Sequence, residues 1–142
     1  VGREYLTRMF EEAQKEIVEG NYDSALTKAR TLLEECFCYV IEQKGEEPLK
    51  KGEIGNLYKQ VKDLYNMHHD GKTDERIRGL LSGLANIVSA VAEMRNKAGD
   101  AHGRGTQRLT VDIYHARLCV NSAITMAEFV LSVAEHAAKK QT

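Results

Sequence analysis

Apolar residues recur along the chain at intervals of three and four nearly everywhere, the spacing of one face of a helix. Leu6, Met9, Phe10, Ala13 and Ile17 form the first stripe, predicting a helix from about Arg3 to Glu19. Gly20-Asn21 ends it, and Asn21 is placed to cap the next helix. The cleanest stripe is Ala25, Leu26, Ala29, Leu32, Leu33, Cys36, Phe37, Val40 and Ile41, predicting a helix from Tyr22 to Gln43 that Lys44-Gly45 stops. A charged loop, Glu46 to Gly52, holds the only proline, Pro48. Ile54, Leu57, Tyr58, Val61, Leu64 and Tyr65 mark a shorter third helix, followed by a polar linker from Asn66 to Thr73.

Thr73 or Asp74 can cap a fourth helix with the stripe Ile77, Leu80, Leu81, Leu84, Ile87, Val88, Val91 and Met94, running to about Lys97. A loop with Gly99, Gly103 and Gly105 follows. Thr110 then opens a last long helix carrying Ala116, Val120, Ala123, Ile124, Ala127, Val130, Leu131 and Ala134. No strand pattern competes, so the expected architecture is all-α: a bundle of about five helices in one domain spanning residues 1–142. The stripes of helices two, four and five are expected to bury against one another. Gly79 and Gly83, four apart inside the fourth helix, each cost about 1 kcal/mol relative to alanine. They point to close approach by a neighbouring helix, with one from the same chain ahead of one from a second chain.

Composition narrows the class. With 142 residues, 42% hydrophobic and 29% charged, the chain suits one globular core. Aromatics are scarce and tryptophan is absent, which excludes proline-rich and disulfide-scaffold classes. No uninterrupted apolar run approaches the ~20 residues of a membrane helix, and the first residues lack a signal-peptide pattern. A cytoplasmic setting away from membranes is therefore the expectation. The chain opens on Val1, which suggests a piece excised from a longer protein. Cys36 and Cys38 fall on nearly opposite sides of a helix and complete no zinc set, so all three cysteines read as small buried hydrophobes. No metal or cofactor is implied. His68-His69 sits in a linker without a further ligand, and His136 suits the dipole of a helix C-terminus.

The net charge of −1 hides an asymmetry. Residues 1–75 hold 11 Lys+Arg against 16 Asp+Glu, and residues 76–142 hold 9 against 5. The basic half contains the one candidate site, Glu93 to Gly105. Arg95 and His102 are seven positions apart, ~700° or about two turns on a continuous helix, so they project to one side. Lys97, Arg104, Arg108, His115 and Arg117 surround them, against Asp100 and Asp112. For His115 and Arg117 a helix-start polar contact and an ion pair within the chain are the plainer readings. A histidine with an unperturbed pKa of about 6.5 can take the proton of a ribose 2′-hydroxyl at neutral pH. A guanidinium offers forked donors to a phosphoryl group as charge builds. The set suits metal-independent RNA cleavage, but one histidine leaves the departing oxygen without a proton donor. A symmetric dimer bringing two Arg-His pairs together supplies it. The bland alternative is a helix-end arginine and a solvated loop histidine.

Arg95-Asn96, six intervening residues from Asn96 to Ala101, and then His102 resemble the R-x(4–6)-H signature of the HEPN superfamily. The string Arg95 to Gly103 resembles its abortive-infection C-terminal (Abi-C) family. Ala29-Arg30-Thr31-Leu32-Leu33-Glu34, and His115-Ala116-Arg117-Leu118 with Asn121 and Ala123, resemble it too, so the likeness covers about Asn21 to Leu131. The resemblance implies an all-α bundle, a metal-independent endoribonuclease and a two-fold dimer with the Arg-His motifs at a shared cleft. It also implies a role in bacterial anti-phage defence or a toxin–antitoxin system, beside an antitoxin or an N-terminal sensor or effector domain. Arg95 and His102 carry over as catalytic and Asn96 as the polar neighbour that orients the site. Asp100 matches the string and either orients His102 or caps the turn. Some superfamily members only bind RNA or partners, so the alternative is a non-catalytic dimerisation or RNA-binding module.

Overall fold

A computed structural model describes residues 2–67, 74–99 and 111–140, with residues 95–99 as backbone alone. Its helices are α1 (Arg3–Val18), α2 (Tyr22–Gln43), α3 (Ile54–Tyr65), α4 (Glu75–Gly99) and α5 (Ile113–Lys140). Among the described residues there is no strand, as the periodicity predicts.

The ends follow from local chemistry. Gly20 takes φ +84° and Gly45 φ +77°, left-handed values that glycine adopts without a Cβ penalty. At the first, the Asn21 amide donates back to the Glu16 carbonyl and the Gly20 amide to Ile17, satisfying carbonyls left over at the end of α1. Asn21 does precede α2, but its side chain makes no capping bond; only its carbonyl joins the helix, accepting from Ala25. Asp74 is a true cap, its Oδ1 accepting the Arg76 amide at 2.8 Å. Asn66, at φ +55°, closes α3. α4 continues to Gly99, two residues past the expected stop, and the first described residue of α5 is Ile113; Thr110 lies outside the described residues.

Helix α2 is the spine. All nine residues of its stripe are buried, packing mainly against α5, with α1 and α3 on its flanks. Phe37 is fully enclosed and stacks on Tyr58 of α3, ring centres 5.5 Å apart. Cys36 is also fully enclosed; its Sγ reaches the Ala127 carbonyl of α5 at 3.5 Å, and burial pushes its thiol up to about 12. No polar or charged residue is buried among the described residues. Around the rim, Arg3 at the start of α1 bonds Ser132 and Glu135 near the end of α5. Arg30 holds Glu34 and the Gly52 carbonyl, and the Gln60 amide bonds both the Glu47 carbonyl and the Leu49 amide, fixing the α2–α3 loop.

Helix α4 departs from the expected burial. Only Val88 and Val91 of its stripe are buried, while Ile77 is 48% and Leu80 67% exposed. Gly79 and Gly83 are exposed, and a Cβ on either would meet nothing within 4 Å. The expectation of close approach by a helix of the same chain is therefore overturned, since no described neighbour needs the missing side chains. By length and mean hydropathy, Glu75–Met94 and α5 both pass as possible membrane spans, although neither is an unbroken apolar run. For α5 the apolarity is accounted for by its place in the core. For α4, with 11% of that window buried, it is not. Among the cysteines, Cys36 and Cys119 are buried as expected, whereas Cys38 is only half-buried.

Candidate functional site

The chain direction brings the C-terminal end of α4 beside the N-terminal end of α5. The two helices run side by side and enclose a groove of about 330 Å³ lined by Ile87, Ala90, Met94, His115, Leu118 and Cys119, with Asn86 and Ser122 at its polar edges. Its walls are mostly apolar, and Leu118 is 65% exposed at its rim. Cys119 is nearly enclosed, so desolvation pushes its thiol up to about 11.

At the α5 end of the groove, Asp112 organises three groups. Its carbonyl accepts the His115 and Ala116 amides at 3.0 Å each, opening the helix. Its Oδ2 accepts the Tyr114 hydroxyl at 2.9 Å, a bond that raises the phenol pKa, and lies 3.9 Å from His115 Nδ1. The His115 ring tilts against Tyr114, centres 4.5 Å apart. His115 thus makes the helix-start contact that was its plainer reading, while still lining the groove. Arg117, two residues on and ~200° further around, is exposed and is not among the groove's lining residues. The first turn of α5 carries no acidic side chain. The carboxylate nearest its partial positive charge is that of Asp112, directly before the helix.

At the α4 end, Arg95, Asn96 and Lys97 directly follow Met94 on the last turns of the helix. The backbone thus puts their positions at the mouth of the groove, one residue beyond its lining. Cations here also suit the negative end of the α4 dipole. Asp100, His102, Arg104 and Arg108 lie outside the described residues, as do His68 and His69. His136 is exposed near the end of α5, three residues before Lys139. No cluster of three metal-ligating side chains occurs among the described residues. The groove residues Asn86, Leu118, Cys119 and Ser122 were not picked out from the sequence as site residues. The signal available was Leu118, a leucine set off the buried stripe of α5.

No curated protein and no solved structure gives a significant match to this chain. A family model does, over residues 4–134, from the first turn of α1 to the last apolar layer of α5. That model describes a HEPN-like domain, all-helical like this bundle, and on a match of this extent the chain belongs to the Abi_C family of HEPN-like domains.

Proposed function

We propose that this domain is a metal-independent endoribonuclease of the abortive-infection or toxin type, cytoplasmic, in which an R-x6-H motif acts across a homodimer. The observation that carries the reading is the basic junction of α4 and α5. Arg95 and Lys97 end one helix where the other begins with His115 and Arg117 and no first-turn acid. Such a junction favours a polyanion, since phosphates complement its side-chain charges, which outnumber the Asp112 carboxylate at the start of α5.

In the proposed chemistry, His102 accepts the proton of a ribose 2′-hydroxyl as that oxygen forms a bond to the adjacent phosphorus. The bond from phosphorus to the 5′-oxygen breaks, and the departing oxygen takes a proton from a group completed by the second chain. Arg95 stabilises the equatorial oxygens while their charge grows, and Asn96 orients the site. The products are a 2′,3′-cyclic phosphate and a 5′-hydroxyl. Lys97, Arg104, Arg108, Arg117 and His115 hold the neighbouring phosphates, with Asp100 beside the histidine. An antitoxin or a sensor domain elsewhere in a longer protein restrains the activity.

The second reading, a non-catalytic dimerisation or RNA-binding module, draws support from the exposed apolar face of α4. Incubation with single-stranded RNA in EDTA separates the two. The enzyme reading expects cyclic-phosphate ends that disappear with His102→Ala and fall by at least ~100-fold with Arg95→Ala. Undiminished cleavage by His102→Ala would sink it, and RNA binding without cleavage by the unaltered chain would favour the module.

A further inference from the structure

The groove between α4 and α5 has apolar walls, Ile87, Met94 and Leu118, and no Asp, Glu, Lys or Arg in its lining. Leu118 stands 65% exposed on the rim, so an empty groove leaves apolar surface open to water. The two ends differ. Met94 and His115 mark the mouth, beside the positions of Arg95 and Lys97. Asn86 on α4 and Ser122 on α5 mark the other end, about two turns or ~12 Å further along. Neither the Asn86 amide nor the Ser122 hydroxyl has a hydrogen-bond partner among the described residues.

We infer that this groove is a base pocket, which takes one unstacked nucleobase of a single-stranded RNA while the phosphate of that nucleotide stays at the mouth. The inference deepens the proposed function and rests on its reading that RNA binds at the α4–α5 junction.

Charge selects a nucleotide, because the occupant has to be neutral inside and anionic at one end. Cations at positions 95, 97 and 117 outnumber the Glu93 and Asp112 carboxylates around the mouth, whereas the groove itself is uncharged. Size agrees. A volume of about 330 Å³ stands at the lower end of the range for small-molecule sites, room for one ring system. The far end excludes a hydrocarbon tail, which would press against two polar groups and satisfy neither.

A base drawn out of its stack needs apolar side chains against its faces and hydrogen bonds at its edge. The walls supply the first, and Asn86 with Ser122 supply the second. The Asn86 amide offers a donor and an acceptor side by side, and the Ser122 hydroxyl offers either, so these two residues set base preference. Paired RNA is disfavoured, since its bases have to leave the helix before one enters. Each copy in a dimer brings its own groove to its own motif, so a shared Arg-His cleft stays in place.

The test reads the groove directly, apart from cleavage. Of the four methionines only Met94 lines it, so a chain labelled at the methionine methyl carbons carries one reporter there. The His102→Ala chain is titrated with short single-stranded RNAs of one base each, and with an abasic ribose-phosphate strand of equal length. The Met94 methyl signal is expected to shift with base-bearing strands and to stay in place with the abasic one. Leu118→Ala, at an exposed position, is expected to weaken base-bearing strands by at least ~5-fold and the abasic strand not at all. Asn86→Asp removes the amide donor and is expected to reorder the bases, with uracil, whose edge is rich in carbonyls, losing most.

A Met94 signal unmoved at saturation with RNA, or moved equally by the abasic strand, would overturn the inference. So would a signal that shifts on dilution but ignores RNA, the mark of a second copy in the groove. A chain that binds no strand, or variants that rank the strands as the His102→Ala chain does, would overturn it too. Cleavage by the unaltered chain in EDTA is scored separately. Cut RNA with an undisturbed Met94 removes this inference alone, and a filled groove with uncut RNA removes the enzyme reading alone.

Discussion

Helices α2 and α4 have similar length and the same three-and-four rhythm of apolar residues, yet they sit in opposite surroundings. α2 has nine enclosed residues and packs against all four other helices, while α4 has Val88 and Val91 inside and two large apolar side chains open to solvent. The rhythm identifies which residues share a face. It carries no information about what lies against that face, because burial is a property of two surfaces. Glycine marks the contrast: α2 has none, while α4 carries two before Gly99 that its own fold does not require.

The contrast makes unequal substitutions the direct way to break it. Phe37→Ala in α2 leaves a void beside Tyr58 and is expected to cost about 3–5 kcal/mol in chemical denaturation. Ile77→Ala in α4 is expected to stay within about 1 kcal/mol when measured on dilute monomer. Equal losses at the two sites would mean that α4 is as deeply packed as α2.

Alkali sharpens the difference from the other side. Cys36 titrates near 12 in the fold against a reference of 9.0, and a thiol raised in this way adds stability that is whole below pH 9 and lost as pH rises toward 12. Through Cys36 alone stability is expected to fall by roughly 1 kcal/mol by pH 10, with buried Cys119 adding a parallel loss, so Cys36→Ala is expected to reduce that slope without abolishing it. An unchanged slope in the variant would place the effect elsewhere.

Two smaller effects complete the series. Tyr58 places its hydroxyl inside with no hydrogen-bond partner, so Tyr58→Phe is expected to be neutral or to stabilise by less than about 1 kcal/mol. Asp74→Ala removes the cap of α4 and is expected to trim its helical signal in circular dichroism. The Arg76 hydrogen bonds hold the Asp74 carboxyl below its ordinary range. Its contribution is therefore present above the usual carboxylate pKa and disappears as pH falls through the lowered one, and a cap effect that persisted in strong acid would contradict this.

The fold was largely legible because four of the five stripes bury within one chain. The α2 stripe matches residue for residue, and its stop at Lys44-Gly45 falls where the backbone turns left-handed. Ile77 and Leu80 were misjudged because periodicity was read as burial. Of the two neighbours the glycines allowed, one in the same chain and one in a second, the favoured one is excluded among the described residues, because a Cβ at Gly79 or Gly83 meets nothing there. At the site, the sequence placed Arg95, Asn96 and Lys97 at the end of α4, where the helix does carry them. The groove beside them could not be read, since it arises from the pairing of α4 with a helix about thirty residues further on.

The bond from Cys36 to the Ala127 carbonyl spans 91 residues of chain. During synthesis the face of α2 that packs on α5 therefore has no main partner until α5, the last of the five described helices, leaves the ribosome. Nascent α1, α3 and α4 can pack on the flanks of α2, but the side of the spine that faces α5 stays open until that helix emerges. Arrival of α5 thus closes the core of this domain, and loss of that helix alone uncovers the face of α2 that carries Cys36.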